Sequence, residues 1–244
     1  MIIQELLNTI YINGSPYDSA DLSYADKRYP HTNLMPHLLD KLFEWVEPTY
    51  IVECGSMTGG SAKIMADCSN RKTDIICIDP FTGDTSMWAR ADHTDSHLFL
   101  GLEKGVPTIY KRFLANCMND NLDTIVLPIN CTANVGLKLI HRLKTENKIS
   151  SLPNYIYVDS SHQLDETYLE LKNSWKVLSS PGVLFGDDYF MPGVNNDVKK
   201  FASSLRSDEI DHEKLSQINK HFCDGQVIDN CIFQLDYQWV IFKK

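Results

Sequence analysis

Two short apolar runs in this chain end in acids. Tyr155-Ile156-Tyr157-Val158 is followed at once by Asp159 and, after two serines, by His162. Gly182-Val183-Leu184-Phe185 is followed by Gly186, Asp187 and Asp188. Carboxylates and an imidazole are the side chains of metal ligation and of general acid–base catalysis. Singly, each has an ordinary explanation. Asp159 orients a loop, His162 bonds to backbone near a helix start, and Asp187-Asp188 is a solvated turn. They make a site only if the fold brings them together.

The segment between the two runs does so. Leu164, Tyr168, Leu171, Trp175 and Leu178 recur at spacings of 4, 3, 4 and 3, the period of an amphipathic helix. Ser180-Pro181-Gly182 stops it. A strand–helix–strand crossover of this kind makes the two strands parallel. Their carboxyl ends then open on one edge of the sheet, where open α/β sheets bind ligands.

The rest of the chain alternates in the same way. Strands are predicted at 49–54, 74–79 and 124–127, and helices at 60–68, about 103–119, 133–144 and about 194–206. The runs 231–235 and 238–242 lie so close that they form an antiparallel hairpin. The fold class is therefore α/β: a doubly wound, mostly parallel sheet finished by an antiparallel hairpin. Residues 1–48 read as an N-terminal helical and lid segment packed on a main domain of residues 49–244. Its irregular stretch 13–33 carries Tyr17, Tyr24, Tyr29 and His31, candidates to cover an acceptor. A helix then follows on Leu34, Leu38, Leu42 and Trp45. Ile2, Ile3, Leu6, Leu7 and Ile10 form an apolar segment that is a candidate homo-oligomer interface.

The first strand runs into Glu53-Cys54-Gly55-Ser56-Met57-Thr58-Gly59-Gly60-Ser61. Gly55 leaves the strand in a tight turn. Gly59 and Gly60 let a ligand approach the backbone at a helix N-terminus. Asp79 ends the next strand, and an acid about 20–25 residues past the glycines suits two ribose hydroxyls. The spacing E-x-G-x-x-x-G is not that of the dinucleotide fingerprint, which argues against a nicotinamide enzyme.

This pattern resembles the first motif of the class I S-adenosylmethionine-dependent methyltransferases. The resemblance implies a seven-stranded Rossmann-like sheet of order 3-2-1-4-5-7-6 and S-adenosyl-L-methionine as cofactor. It places Glu53, Gly55, Ser56 and Gly59 at the methionine end, Asp79 at the ribose, and Asn130 and Cys131 beside the adenine. Within that superfamily, Asp159-Ser160-Ser161-His162 and Gly186-Asp187-Asp188-Tyr189 resemble the metal-dependent sugar O-methyltransferases of macrolide and aminocoumarin biosynthesis, the macrocin type. One departure is Ser180-Pro181-Gly182-Val183, with a single glycine where two are usual. The likeness implies Mg²⁺ held by Asp159, Asp187 and Asp188, with His162 and Asp159 as the catalytic pair. The acceptor it implies is a small molecule, a sugar or other polyol.

The chemistry is coherent. A sugar hydroxyl ionises far above neutral pH, so its methylation needs a Lewis acid, a general base, or both. Carboxylate oxygens suit Mg²⁺, and a neutral His162 imidazole one short turn past Asp159 is a suitable base. Two alternatives stand beside this reading. One is a metal-independent methyltransferase that uses His162 on a more acidic acceptor; the other is a non-catalytic nucleotide-binding protein on the same fold. The stretch Phe81–Trp88, followed by Asp92, His93 and His97, reads as an active-site flap.

A net charge of −9 argues against nucleic acid or an anionic membrane as the main partner, because affinity for either comes from Lys and Arg. No apolar run reaches the roughly 18 residues that a membrane span needs. The start, Met1-Ile2-Ile3-Gln4-Glu5, lacks a basic n-region. Seven scattered cysteines with no C-x-x-C read as buried thiols of a reducing compartment rather than a zinc site. The expected location is cytoplasmic.

Overall fold

Strand residues alternate between two apolar layers, and that alternation decides the architecture. A computed structural model describes residues 2–26, 32–89 and 99–244. Its strands are β1 (Ile51–Cys54), β2 (Ile75–Asp79), β3 (Val126–Asn130), β4 (Tyr155–Val158), β5 (Gly182–Gly186), β6 (Gln226–Ile228), β7 (Ile232–Leu235) and β8 (Gln238–Lys243). Val52, Ile76, Ile156, Leu184 and Ile241 point into one layer; Ile51, Ile75, Tyr155, Val183 and Phe242 point into the other. Both faces of the sheet must then be covered.

Helices supply the cover. On the first face lie α1 (Ile2–Ile10), α6 (Ala133–Thr145), α7 (Glu166–Val177) and α8 (Pro192–Ala202). On the second lie α2 (Pro36–Trp45), α3 (Gly60–Cys68), α5 (Ile109–Asn119) and α9 (His212–His221). A short α4 (Thr85–Ala89) sits in the connection after β2. No helix among the described residues is long and apolar enough to cross a membrane.

The strand order is β3-β2-β1-β4-β5-β8-β7-β6. The first five strands run parallel, and β8 enters antiparallel beside β5. This is the expected order with one strand added. The addition, β6, pairs antiparallel with β7 across Asp229 and Asn230, both at positive φ. Such residues suit the tight turn closed by the Cys231 N–H on the Ile228 carbonyl, within a three-residue connection. Register sets the site: Cys54 lies opposite Val158, and Val158 opposite Gly186.

Several elements differ from the sequence reading. The helix predicted from about 103 starts at Ile109, because Glu103 and Val106 bridge across a turn with Lys104 and Gly105 at positive φ. The last crossover helix spans Pro192–Ala202, with the proline in its first turn. Helix α9 was not anticipated; only Leu215 and Ile218 of it are buried. The apolar side of α1 is used within the chain. Ile2, Ile3 and Leu6 are buried in the first layer, Leu7 and Ile10 pack on it, and the Ile3 N–H donates to Asp74 at 3.2 Å. The apolar segment expected as an interface is therefore covered by the protein's own core.

Candidate active site

A cavity of about 240 Å³ opens at the carboxyl ends of β1, β2, β4 and β5. Gly55, Ser56, Asp79, Asp159, His162, Asp187 and Asp188 all line it, so both sequence-derived halves face one space.

The glycine turn forms one wall. Gly55 has φ +88, and a Cβ there would overlap the carbonyl oxygen of Asp159. The Asp159 N–H donates in turn to the Cys54 carbonyl at 2.8 Å. Glycine is thus required both by the left-handed backbone and by the β4 loop lying against it. Gly59 caps α3 at φ +91, and a Cβ there would press on the Phe113 ring at 3.3 Å.

Asp79 braces this turn. Its carboxylate accepts from the N–H groups of Ser56 and Met57, each at 2.8 Å, and from that of Phe81. Burial raises its pKa, and the three N–H donors oppose that rise. Glu53 is placed otherwise than expected. It is 0 % exposed and does not line the cavity; its carboxylate accepts from the Ser61 hydroxyl and from Cys77 Sγ at 3.1 Å. Burial pushes it from the ordinary 4.5 to about 7. It supports the turn from below. Gly59, Asn130 and Cys131 do not line the cavity either, although Asn130 lies opposite Asp79 in the β2–β3 register.

The acidic wall is built from the next two strand ends. Asp188 adopts φ +58, a left-handed conformation that aspartate tolerates better than most residues. Its N–H donates to Asp187 Oδ1 at 2.8 Å. Beneath it, a Cβ on Gly186 would overlap the Val158 carbonyl and the Trp239 ring, so only glycine lets β5, β4 and β8 close here.

His162 stands among three carboxylates. Nε2 lies 2.7 Å from Asp188 Oδ2 and 3.8 Å from Asp159 Oδ1, and Nδ1 lies 3.3 Å from Asp84 Oδ2. The neighbouring carboxylates of Asp159, then Asp188 and Asp84, push its pKa up to about 12. Carboxylates on both ring edges favour the protonated imidazole over the neutral base expected from the sequence.

Donor atoms of Asp159, His162 and Asp188 lie within 4.8 Å of one another, a group able to hold a metal ion. The two carboxylates suit Mg²⁺ or Mn²⁺, whereas an imidazole nitrogen is the more usual ligand of Zn²⁺, Fe²⁺ or Ni²⁺. Asp187, expected as a third ligand, is outside this group. It is 4 % exposed, and burial, then the nearby Asp159, push its pKa to about 7.

Other walls were only partly legible. Gly83, Asp84 and Met87 of the stretch read as a flap line the cavity, as do Thr32 and Asn33. Asp92, His93, His97, Tyr29 and His31 lie outside the described residues. Tyr17 and Tyr24 do not cover the cavity: Tyr17 is buried with its hydroxyl donating to the Val126 carbonyl at 2.8 Å, and Tyr24 donates to Glu103 at 2.8 Å.

A family model described as a methyltransferase domain matches residues 52–189, more than half of the chain. The chain belongs to this methyltransferase family. With its strand order, glycine turn and Asp79, it is a class I S-adenosylmethionine-dependent methyltransferase. The methyltransferase fold recurs at low identity in solved structures. A Staphylococcus aureus protein assigned as a caffeoyl-CoA O-methyltransferase is 13 % identical, with a TM-score of 0.50 over 99 % of this chain and 98 % of that one. The O-methyltransferase TomG of Streptomyces achromogenes, involved in tomaymycin synthesis, is 11 % identical at TM-score 0.50, over 99 % and 96 % of the two chains. A Clostridium thermocellum protein assigned as an rRNA methylase gives 11 % and 0.50, over 87 % and 97 %. These likenesses are of fold alone. No curated protein matches the methyltransferase sequence.

Proposed function

We propose that this methyltransferase acts on oxygen, methylating a hydroxyl of a sugar or other small polyol with the help of a divalent cation. The observation that carries the reading is the cluster of Asp159, His162 and Asp188 in the same cavity as the glycine turn and Asp79. Asp159 and Asp188 would hold the cation, with His162 beside them. When bound, a cation supplies Lewis acidity that lowers the pKa of a ligated hydroxyl.

The chain's own residues do the rest. The Gly55–Gly60 turn offers backbone to the methionine end of the cofactor, and Asp79 stands at the ribose position. Thr32, Asn33 and Met87 enclose the space between the two walls. Asp84 and Asp188 fix the two edges of the His162 ring. Because both nitrogens face carboxylates, a metal-free mechanism with His162 as base is disfavoured. The net charge of −9 argues against an RNA acceptor. All seven cysteines are free, which suits a reducing, cytoplasmic setting.

The test has two stages. Calorimetry should show micromolar binding of S-adenosylhomocysteine. Release of that product from S-adenosylmethionine should then be followed with D-glucose, catechol and benzoate, in Mg²⁺ and in EDTA. Mg²⁺-dependent turnover on the polyol is expected. Turnover indifferent to EDTA, or transfer only to the carboxylate, would sink this reading.

A further inference from the structure

Glu170 is a buried carboxylate to which the mechanism above gives no task. It lies on α7 and is 7 % exposed. Its Oε2 accepts from the hydroxyl of Ser160. Ser160 follows Asp159 directly and lines the main cavity; it also lines a smaller, polar cavity on the Asp84–His162 side. A residue of the cavity wall is thus hydrogen-bonded through its hydroxyl to a buried acid.

Methylation of a hydroxyl releases one proton, and several groups around the cavity are engaged with neighbours of their own; Asp187, which also lines it, accepts from the Asp188 N–H. His162 presents both ring nitrogens to carboxylates, at 2.7 Å and 3.3 Å. Asp79 is occupied by backbone N–H groups, and Glu53 does not reach the cavity. We propose that Ser160 and Glu170 form the path by which the acceptor's proton leaves. This rests on the O-methyltransferase reading given above.

The step balances. The acceptor O–H bond breaks, and its proton goes to Ser160 Oγ as the Ser160 proton goes to Glu170 Oε2. The freed electron pair forms the new bond to the methyl carbon, and the electrons of the broken C–S bond stay on sulfur. The products are S-adenosylhomocysteine, a methyl ether and a protonated Glu170, which is deprotonated by solvent through the same hydroxyl.

The environment of Glu170 suits the task. Burial first, and the charge of Glu166 next, push it from 4.5 to about 7, against the Ser160 hydrogen bond and the charge of His162. The Cys54 thiol on β1, which also feels the Glu170 charge, is held neutral by its own burial. A carboxyl with a pKa near the working pH can both take and return a proton.

Infrared difference titration of protein loaded with S-adenosylhomocysteine and Mg²⁺, wild type minus Glu170→Gln, tests this without any acceptor. The Glu170 carboxyl should deprotonate with a midpoint near 7. Ser160→Ala, which removes a hydrogen bond to the charged form, should raise that midpoint. A carboxyl still protonated at about pH 9, or ionised at about pH 5, overturns the proposal. On the acceptor that turns over in the assay above, Glu170→Gln and Ser160→Ala should lower kcat at least about tenfold, with KM for S-adenosylmethionine within about twofold. Glu170→Asp should retain part of the rate. Wild-type kcat in Glu170→Gln overturns the proton path and leaves the methyl-transfer reading standing. Absence of transfer by the wild type removes both.

Discussion

The two ends of the cavity hold their acids by different means. At the glycine turn, Asp79 is satisfied by three backbone N–H groups and Glu53 by a hydroxyl and a thiol. Those donors belong to the fold and go nowhere. At the other end, Asp159 and Asp188 face His162, whose charge comes from its surroundings. There the carboxylates face a side chain rather than backbone donors. The first end is a backbone-braced cradle, and the second is a set of carboxylates around one imidazole.

The largest effect is expected where the two ends meet. Gly55→Ala forces a Cβ into the Asp159 carbonyl at a left-handed φ. It should cost roughly 3 kcal/mol or more in thermal or urea unfolding. Cofactor and divalent-ion binding should weaken together; loss of one alone would show the ends to be independent.

Asp188→Ala separates them. Methyl transfer should fall about 100-fold or more, since several kcal/mol of charge stabilisation are lost. Calorimetric affinity for S-adenosylhomocysteine should stay within about threefold. A collapse of that affinity would mean the acid belongs to the cradle.

Glu53 gives a pH signature from the cradle side. Its folded pKa, about 7, exceeds its ordinary 4.5, so the native state carries the extra proton between those values. Stability from this group is therefore present at low pH and is lost as pH rises from 4.5 to about 7. Glu53→Gln should remove a decline of about 2–3 kcal/mol across that window. Urea unfolding of both proteins at about pH 5 and pH 8 measures it; parallel curves would place the ionised form comfortably in the fold.

The smallest effect is expected at β3. Asn130→Ala and Cys131→Ser, which do not line the cavity, should change S-adenosylhomocysteine affinity by no more than about threefold. A tenfold loss would extend the cradle to that strand end.

What was legible in the sequence follows from what periodicity can carry. The crossover helix on Leu171 and Trp175 and the strands at 155–158 and 182–186 announce themselves, because both elements are apolar where they are buried. Parallel pairing then fixes where Asp159 and Asp188 must go. Helix α9 and strand β6 bury too few apolar residues to show a period. Side-chain direction was hidden as well. β1 is buried along its whole length, so its pattern does not say that Glu53 turns inward. The state of His162 depends first on Asp159 and Asp188 but also on Asp84, which is 78 residues earlier in the chain.

The shared wall between Gly55 and Asp159 has a thermodynamic consequence. Backbone that lies in contact on both sides cannot shift on one side only. If the proposed cation binds at Asp159, a cofactor that reshapes the turn changes the affinity for it. By linkage the ion changes cofactor affinity by the same factor. Titrating either ligand in the presence of the other reads that factor directly. It measures how strongly one glycine, by having no side chain, joins two binding equilibria.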